Sequence, residues 1–185
     1  MTYFTSNLIR IIISEIIISL YYITDFILPD WTIFSPIRKI FANFFWDIHK
    51  KSRIRKYFYA THLGNLKIGK NCFVNRKNLF DNAARIEIGD NCSIGFDNKF
   101  LTVSHIEKDK IRYENQKSFY SKPIKIGDSV WITSNCIVLP GTKIGNNVIL
   151  SAGSIANGEL ESGWVYRGNP AIKIRKTKGI IKKIL

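Results

Sequence analysis

The chain has 185 residues, with 28 Lys and Arg against 14 Asp and Glu, a formal charge of +14 and a pI near 9.8. Its 45% hydrophobic content suffices for one packed domain with a small appendage, and the charge calls for a polyanionic partner: nucleic acid, an acidic membrane surface or a phosphorylated cofactor. Three cysteines with no C-x-x-C or Cys/His cluster argue against a disulfide framework or a zinc module, and His49, His62 and His105 are the only imidazoles.

The first predicted element is helical. Leu8 to Leu28 approaches the length of a bilayer span, but Arg10, Glu15 and Asp25 interrupt it. Each would cost about 2.5–3.5 kcal/mol near the membrane centre. Asn7, Arg10, Ser14, Tyr21 and Asp25 recur at helical spacing as a narrow polar stripe. That pattern predicts an amphipathic helix at a membrane interface or packed on a partner, in preference to a span. No basic stretch followed by a small-residue cleavage site marks a signal peptide. Arg38, Lys39, Lys50, Lys51, Arg53, Arg55 and Lys56 then mix with Trp31, Phe44, Phe45 and Trp46. Such a mixture suits a lipid headgroup layer, or a solvated helical face of the domain itself. Residues 1–60 are therefore expected to be a helical segment, with peripheral membrane contact through residues 1–56.

From about Lys67 a period of six sets in. Ile126, Ile132, Val138, Ile144 and Leu150 are each followed four residues later by Val130, Cys136, Thr142, Val148 and Ser154, with turn dipeptides such as Pro140-Gly141 between. The same lattice holds at Ile68 and Cys72, Val74 and Asn78, Ile88 and Cys92, Ile94 and Asn98. It breaks before Ile88 and, more widely, between His105 and Ile124, where loops should leave the coil. A short strand bent every six residues winds into a triangular prism whose aliphatic side chains fill each layer. The expected architecture is an all-β left-handed parallel β-helix over residues 61–175, with a loop at 106–122 and a basic tail at 176–185. All three cysteines occupy the small inward slot, as core fillers.

The segment Gly69 to Arg175 resembles the hexapeptide-repeat acyltransferases, in particular the galactoside, maltose and nodulation-type O-acetyltransferases and those of capsule and exopolysaccharide clusters. IGDNCSIGFDNKFLTVSH (88–105), YSKPIKIGDSVWIT (120–133), LSAGSI (150–155) and RGNPAIKIRK (167–176) carry the resemblance. It implies that His105 deprotonates an acceptor hydroxyl, which attacks the thioester of acetyl-coenzyme A directly; imidazole titrates in the range this chemistry needs. It further implies acceptor contacts among Lys77, Asn78, Asp81, Asn82 and Tyr120. On the donor side it implies contacts from Trp131, Ser134, Ala152, Gly153 and Asn157, and from Arg175 and Lys176 (with Lys173 nearby) to the nucleotide phosphates. No metal is implied. The acceptor is expected to be a sugar or glycan, including one carried on a lipid at the inner face of the plasma membrane, and the assembly a homotrimer with the donor between prisms. The alternatives are an N-acetyltransferase acting on an amino-sugar nucleotide and a non-catalytic scaffold. A zinc carbonic anhydrase of the same prism would need histidines after His105, and no nucleic-acid motif is present.

Overall fold

The computed structural model describes residues 34–105 and 119–177, together with Ile16, Ser19, 21–23, 25–27 and Pro29. Five coils and an incomplete sixth stack along one axis. The first is β1 (Asp47–Ile48), β2 (Arg53–Ile54) and β3 (Phe58–Ala60); the second β4 (Leu66–Ile68), β5 (Phe73–Val74) and β6 (Asn78–Asp81); the third β7 (Ile86–Ile88), β8 (Ser93–Ile94) and β9 (Lys99–Leu101). A hairpin, β10 (Val103–His105) and β11 (Phe119–Ser121), then leaves the coil. The fourth coil is β12 (Ile124–Ile126), β13 (Trp131–Ile132) and β14 (Ile137–Val138); the fifth β15 (Lys143–Ile144), β16 (Ile149–Leu150) and β17 (Ile155–Ala156). β18 (Glu159–Leu160), β19 (Trp164–Arg167) and the antiparallel β20 (Ile172–Lys176) close the stack. Corresponding strands pair in parallel into three sheets of six, six and five strands, the second extended to seven by β20, giving the left-handed β-helix that the period of six predicts.

The prism starts earlier than the sequence lattice suggested. β1 to β3 lie inside the segment 1–60 that was expected to be helical, so the appendage ends near Trp46. Residues 106–118 and 178–185, which hold most of the expected loop and tail, lie outside the described residues, as do Asn7, Arg10 and Ser14 of the polar stripe.

Each layer obeys one rule. On the first sheet Ile48, Ile68, Ile88, Ile126, Ile144 and Leu160 point inward and are buried. Their outward neighbours Asp47, Lys67, Glu87, Lys125, Lys143 and Glu159 form a charged row. On the third sheet Phe58, Phe80 and Phe100 stack, with centroids 5.1 and 4.6 Å apart. Trp46 and Tyr21 extend this column past the end of the prism.

The Gly-Asp-Asn corners have a direct physical cause. Lys70 N donates to Asp90 Oδ1, Asp90 N to Asp128 Oδ1 and Asp128 N to Asn146 Oδ1, each at 2.8 Å, and Asn146 N donates to Ser162 Oγ at 2.9 Å. Each side-chain oxygen thus caps the coil below, and it lies against the place where a Cβ on that coil's corner glycine (Gly69, Gly89, Gly127 or Gly145) would be. Asn71, Asn91, Ser129 and Asn147 follow with φ near +55°, a conformation that Asn tolerates well. A Cβ on Gly89 would sit 2.8 Å from the Gly127 carbonyl and closer still to Asp128. Gly89→Ala is expected to cost about 1–3 kcal/mol, read as a lower urea midpoint.

The cysteines fill the inward slot as expected. Cys72 and Cys92 point their thiols at the Gly89 and Gly127 carbonyls, both at 3.1 Å. The neighbouring Cys72 thiol and burial hold Cys92 in its protonated form, and burial pushes Cys136 up. A thiol kept protonated is a poor nucleophile.

The N-terminal segment caps the open end. Ile16, Ser19, 21–23 and 25–27 are helical, and α1 (Ser35–Ala42) packs on β2. Tyr22 Oη donates to the Ala60 carbonyl at 3.0 Å, and Tyr21 Oη lies 3.4 Å from that of Phe58, so both hydroxyls cover the exposed edge of β3. Asp25 Oδ2 accepts the Tyr57 N–H at 2.6 Å, and its Oδ1 lies 3.0 Å from buried Arg38 Nε. Of the expected polar stripe, Tyr21 and Asp25 face the prism, not solvent or a membrane. Among the described residues no helix is long and apolar enough to cross a membrane.

Candidate active site

The corner between the third sheet and the next coil's first sheet differs from the other two. There Ala60 to Leu66 and Asp81 to Ile86 carry extra residues, and from the third coil the β10–β11 hairpin departs. Thr102 ties the layers together: its N and Oγ1 donate to the Asp81 carbonyl at 3.0 and 2.6 Å, and Oγ1 accepts the Ala84 N–H at 3.0 Å.

His105 stands exposed on β10, opposite Phe119. Below it, on the first two coils of this corner, lies a polar cluster. Thr61 Oγ1 is 3.1 Å from Asp81 Oδ1 and 2.9 Å from His62 Nδ1, and it accepts the Asn82 N–H at 3.2 Å. A hydroxyl has one proton. If it goes to Asp81, then His62 Nδ1–H donates to Thr61 and leaves Nε2 as an acceptor. His62 is thereby joined through Thr61 to a carboxylate on the same corner as the hairpin. No linear pattern signals this, because 20 residues of chain separate the two layers.

The expected acceptor residues divide. Asp81 is half-buried on this corner. Asn78 and Asn82, by contrast, are fully buried and have no surface to offer a ligand. Asn78 Nδ2 donates to the Asn75 and Gly95 carbonyls at 2.6 and 2.8 Å, while its Oδ1 accepts two Asn98 donors at 3.0 Å. Asn82 is spent on the His62 backbone, accepting its N–H at 2.8 Å and donating to its carbonyl at 2.7 Å. Both amides hold corners shut because a bent backbone leaves groups that the ladder cannot reach. Lys77 occupies the corner at the other end of β6, at φ +60°, about 13 Å of strand from Asp81. Tyr120 pairs with Ser104, so it projects from the ribbon face opposite to His105, with Lys122 Nζ 5.3 Å from its ring centroid.

The expected donor residues gather elsewhere. Ser134, Ala152 and Gly153 lie on the corner between the second and third sheets, where Gly153 N donates to the Ser134 carbonyl at 3.0 Å. Trp131 is half-buried on the outer row of the second sheet, between Ser93 and Ile149. Arg175 and Lys176 sit on exposed β20. Lys173 and Lys176 place their ammonium groups 5.0 and 5.8 Å from the ring of Trp164, a residue the sequence did not single out. Asn157 stands apart from this group, following β17 on the corner that carries His105 two coils earlier. Within one chain, Ser134, Ala152 and Gly153 therefore occupy one corner and His105 and Asp81 another, with the third sheet between them; Asn157 and the acceptor candidate Lys77 each lie on the opposite corner from their group.

A prism of this kind is also the fold of solved hexapeptide-repeat acetyltransferases. Residues 123–158 match the bacterial transferase hexapeptide family, a model of six repeats. A maltose O-acetyltransferase from Clostridium difficile 630 superposes with a TM-score of 0.72 at 26% identity, over 89% of this chain and 86% of that one. The hexapeptide-repeat acetyltransferase VCA0836 from Vibrio cholerae, in complex with acetyl-coenzyme A, gives 0.71 at 28% identity over 77% and 78%. A galactoside acetyltransferase in complex with coenzyme A gives 0.70 at 28% over 75% and 69%. The resemblance read from Gly69 to Arg175 is borne out by these likenesses. The chain spans 60% or less of the length of the first curated relatives it matches, all of which bear acetyltransferase names.

Proposed function

We propose that the protein is an acetyl-coenzyme-A-dependent O-acetyltransferase that modifies a sugar hydroxyl during surface polysaccharide synthesis, with His105 as general base. The observation that carries the reading is the placement of exposed His105 at the root of the hairpin, on the corner that also presents Asp81, Thr61 and His62. A sugar offers several hydroxyls, and this corner offers an imidazole for the reacting one and a carboxylate and a second imidazole for its neighbours. In the reaction the acceptor O–H proton passes to His105, the oxygen attacks the thioester carbon, and the thiolate of coenzyme A leaves and recovers the proton. The solved galactoside and maltose acetyltransferases named above favour a sugar acceptor.

The placement of Ser134, Ala152 and Gly153 on one corner and of His105 and Asp81 on another supports a homotrimer. One chain's His105 corner would meet the donor corner of the next, so neither chain alone completes a site. Purified protein incubated with acetyl-coenzyme A and a panel of sugars, sugar nucleotides, amino sugars and oligosaccharides tests the reading by mass spectrometry. Acetyl esters on a neutral sugar support it; transfer only to an amine overturns it. Arg175→Ala should raise KM for acetyl-coenzyme A more than it lowers kcat, because a remote phosphate contact binds ground and transition states alike.

A further inference from the structure

The cap is turned inside out. Tyr21 and Asp25, one turn apart, are spent on the prism, and the opposite face of the same helix exposes Ile16, Ile23, Phe26 and Ile27 at 55, 53, 72 and 69%. α1 repeats the arrangement: Arg38 and Ala42 are buried, while Ile37, Ile40 and Phe41 are exposed, followed by Phe44 at 73%. Eight large apolar side chains thus face away from the prism at its N-terminal end, where a soluble surface would carry polar ones. Beneath them, the first coil holds Lys50, Lys51, Arg53, Arg55 and Lys56, and Asp47 is the one acid between residues 34 and 60. Lys56 Nζ donates to the Phe26 carbonyl at 2.8 Å, which places a cation directly beside the apolar face.

We propose that this end of the prism is a docking surface for an anionic lipid bilayer. The apolar residues enter the acyl boundary and the first coil's cations meet the headgroups. Charge selects the occupant: a second copy set face to face would oppose two cationic collars, whereas an anionic surface neutralises one. The arrangement also differs from an ordinary interfacial helix, whose polar side faces water; here Asp25 is consumed by Tyr57 and Arg38, and among the described residues Ile16, Ile23, Phe26 and Ile27 are left outward for lipid. The His105 corner lies two coils, about 10 Å, beyond the first coil. A glycan carried on a membrane lipid would then reach it without leaving the surface. The docking itself rests on the cap and the first coil and is independent of the acyl-transfer reading.

The test uses full-length protein and sedimentation with vesicles of phosphatidylcholine, with and without phosphatidylglycerol. Wild type should bind the anionic vesicles, more weakly in high salt. The double substitution Phe26→Glu with Ile27→Glu should lower the bound fraction at least tenfold while the circular dichroism spectrum stays unchanged. Ile40→Glu, on the other helix, should weaken binding in the same direction and serves if the first variant misfolds. Wild type that stays in the supernatant with anionic vesicles overturns the proposal. So does a folded Phe26→Glu, Ile27→Glu variant that binds as well as wild type, or one whose mass by light scattering falls because a second copy had covered the face. Vesicle binding that survives in a protein with no transferase activity would count against the enzyme reading alone.

Discussion

His105→Ala should lower turnover by about 10²–10⁴-fold, the range for losing a positioned general base. KM for acetyl-coenzyme A should stay nearly constant, because the donor candidates Ser134, Ala152, Gly153 and Arg175 sit on another corner and on β20. Cys92→Ala is the companion experiment. Its thiol is buried against the Gly127 carbonyl and held protonated, so it should keep activity once stability is accounted for. His49→Ala is the other control, since His49 Nδ1 merely accepts the Lys51 N–H at 3.1 Å. His62→Ala is not a neutral control: the link of His62 through Thr61 to Asp81 predicts a higher acceptor KM. Stopped assays in which donor and acceptor are varied in turn, the other held at saturation, measure all four. A His105→Ala protein with wild-type kcat would rule out imidazole as the base.

Phe80→Ala should destabilise the prism by about 3–5 kcal/mol, which is a large share of the 5–15 kcal/mol typical of a domain. Phe80 is fully buried at the middle of the aromatic column, with its ring parallel to that of Phe100, 5° apart, and in contact with Phe58. Parallel strands fix the coil spacing, so the layers above and below cannot collapse into the space left behind. Because Phe58 carries the column on to Trp46 and Tyr21, the cap should loosen first. Hydrogen exchange at residues 46–60 reports that order, and urea unfolding gives the magnitude. Lys99→Ala, in the next coil but exposed and paired with Asp97 at 3.7 Å, should stay within about 1 kcal/mol of wild type.

By itself the sequence determined the repeat. Ile126, Ile132, Val138, Ile144 and Leu150 must face inward because a six-residue period allows one side of each short strand to be buried. The cysteines had to be core because they share that register. The hairpin's departure was legible too, since His105 to Ile124 breaks the lattice. The first coil was not legible: Ile48, Ile54 and Ala60 follow the rule, but the basic residues between them look like a helical face. Tertiary structure alone decided which asparagines are surface and which are struts. Asn78 and Asn82 lie beside the expected ligand positions in the chain, yet each is consumed by backbone groups in a neighbouring coil. The same holds for the cap. Helical spacing finds a polar stripe at Tyr21 and Asp25 but carries no information about its direction. The unpaired edge of β3 and the buried Arg38 set that direction, and both are contributed by residues 13 or more positions away.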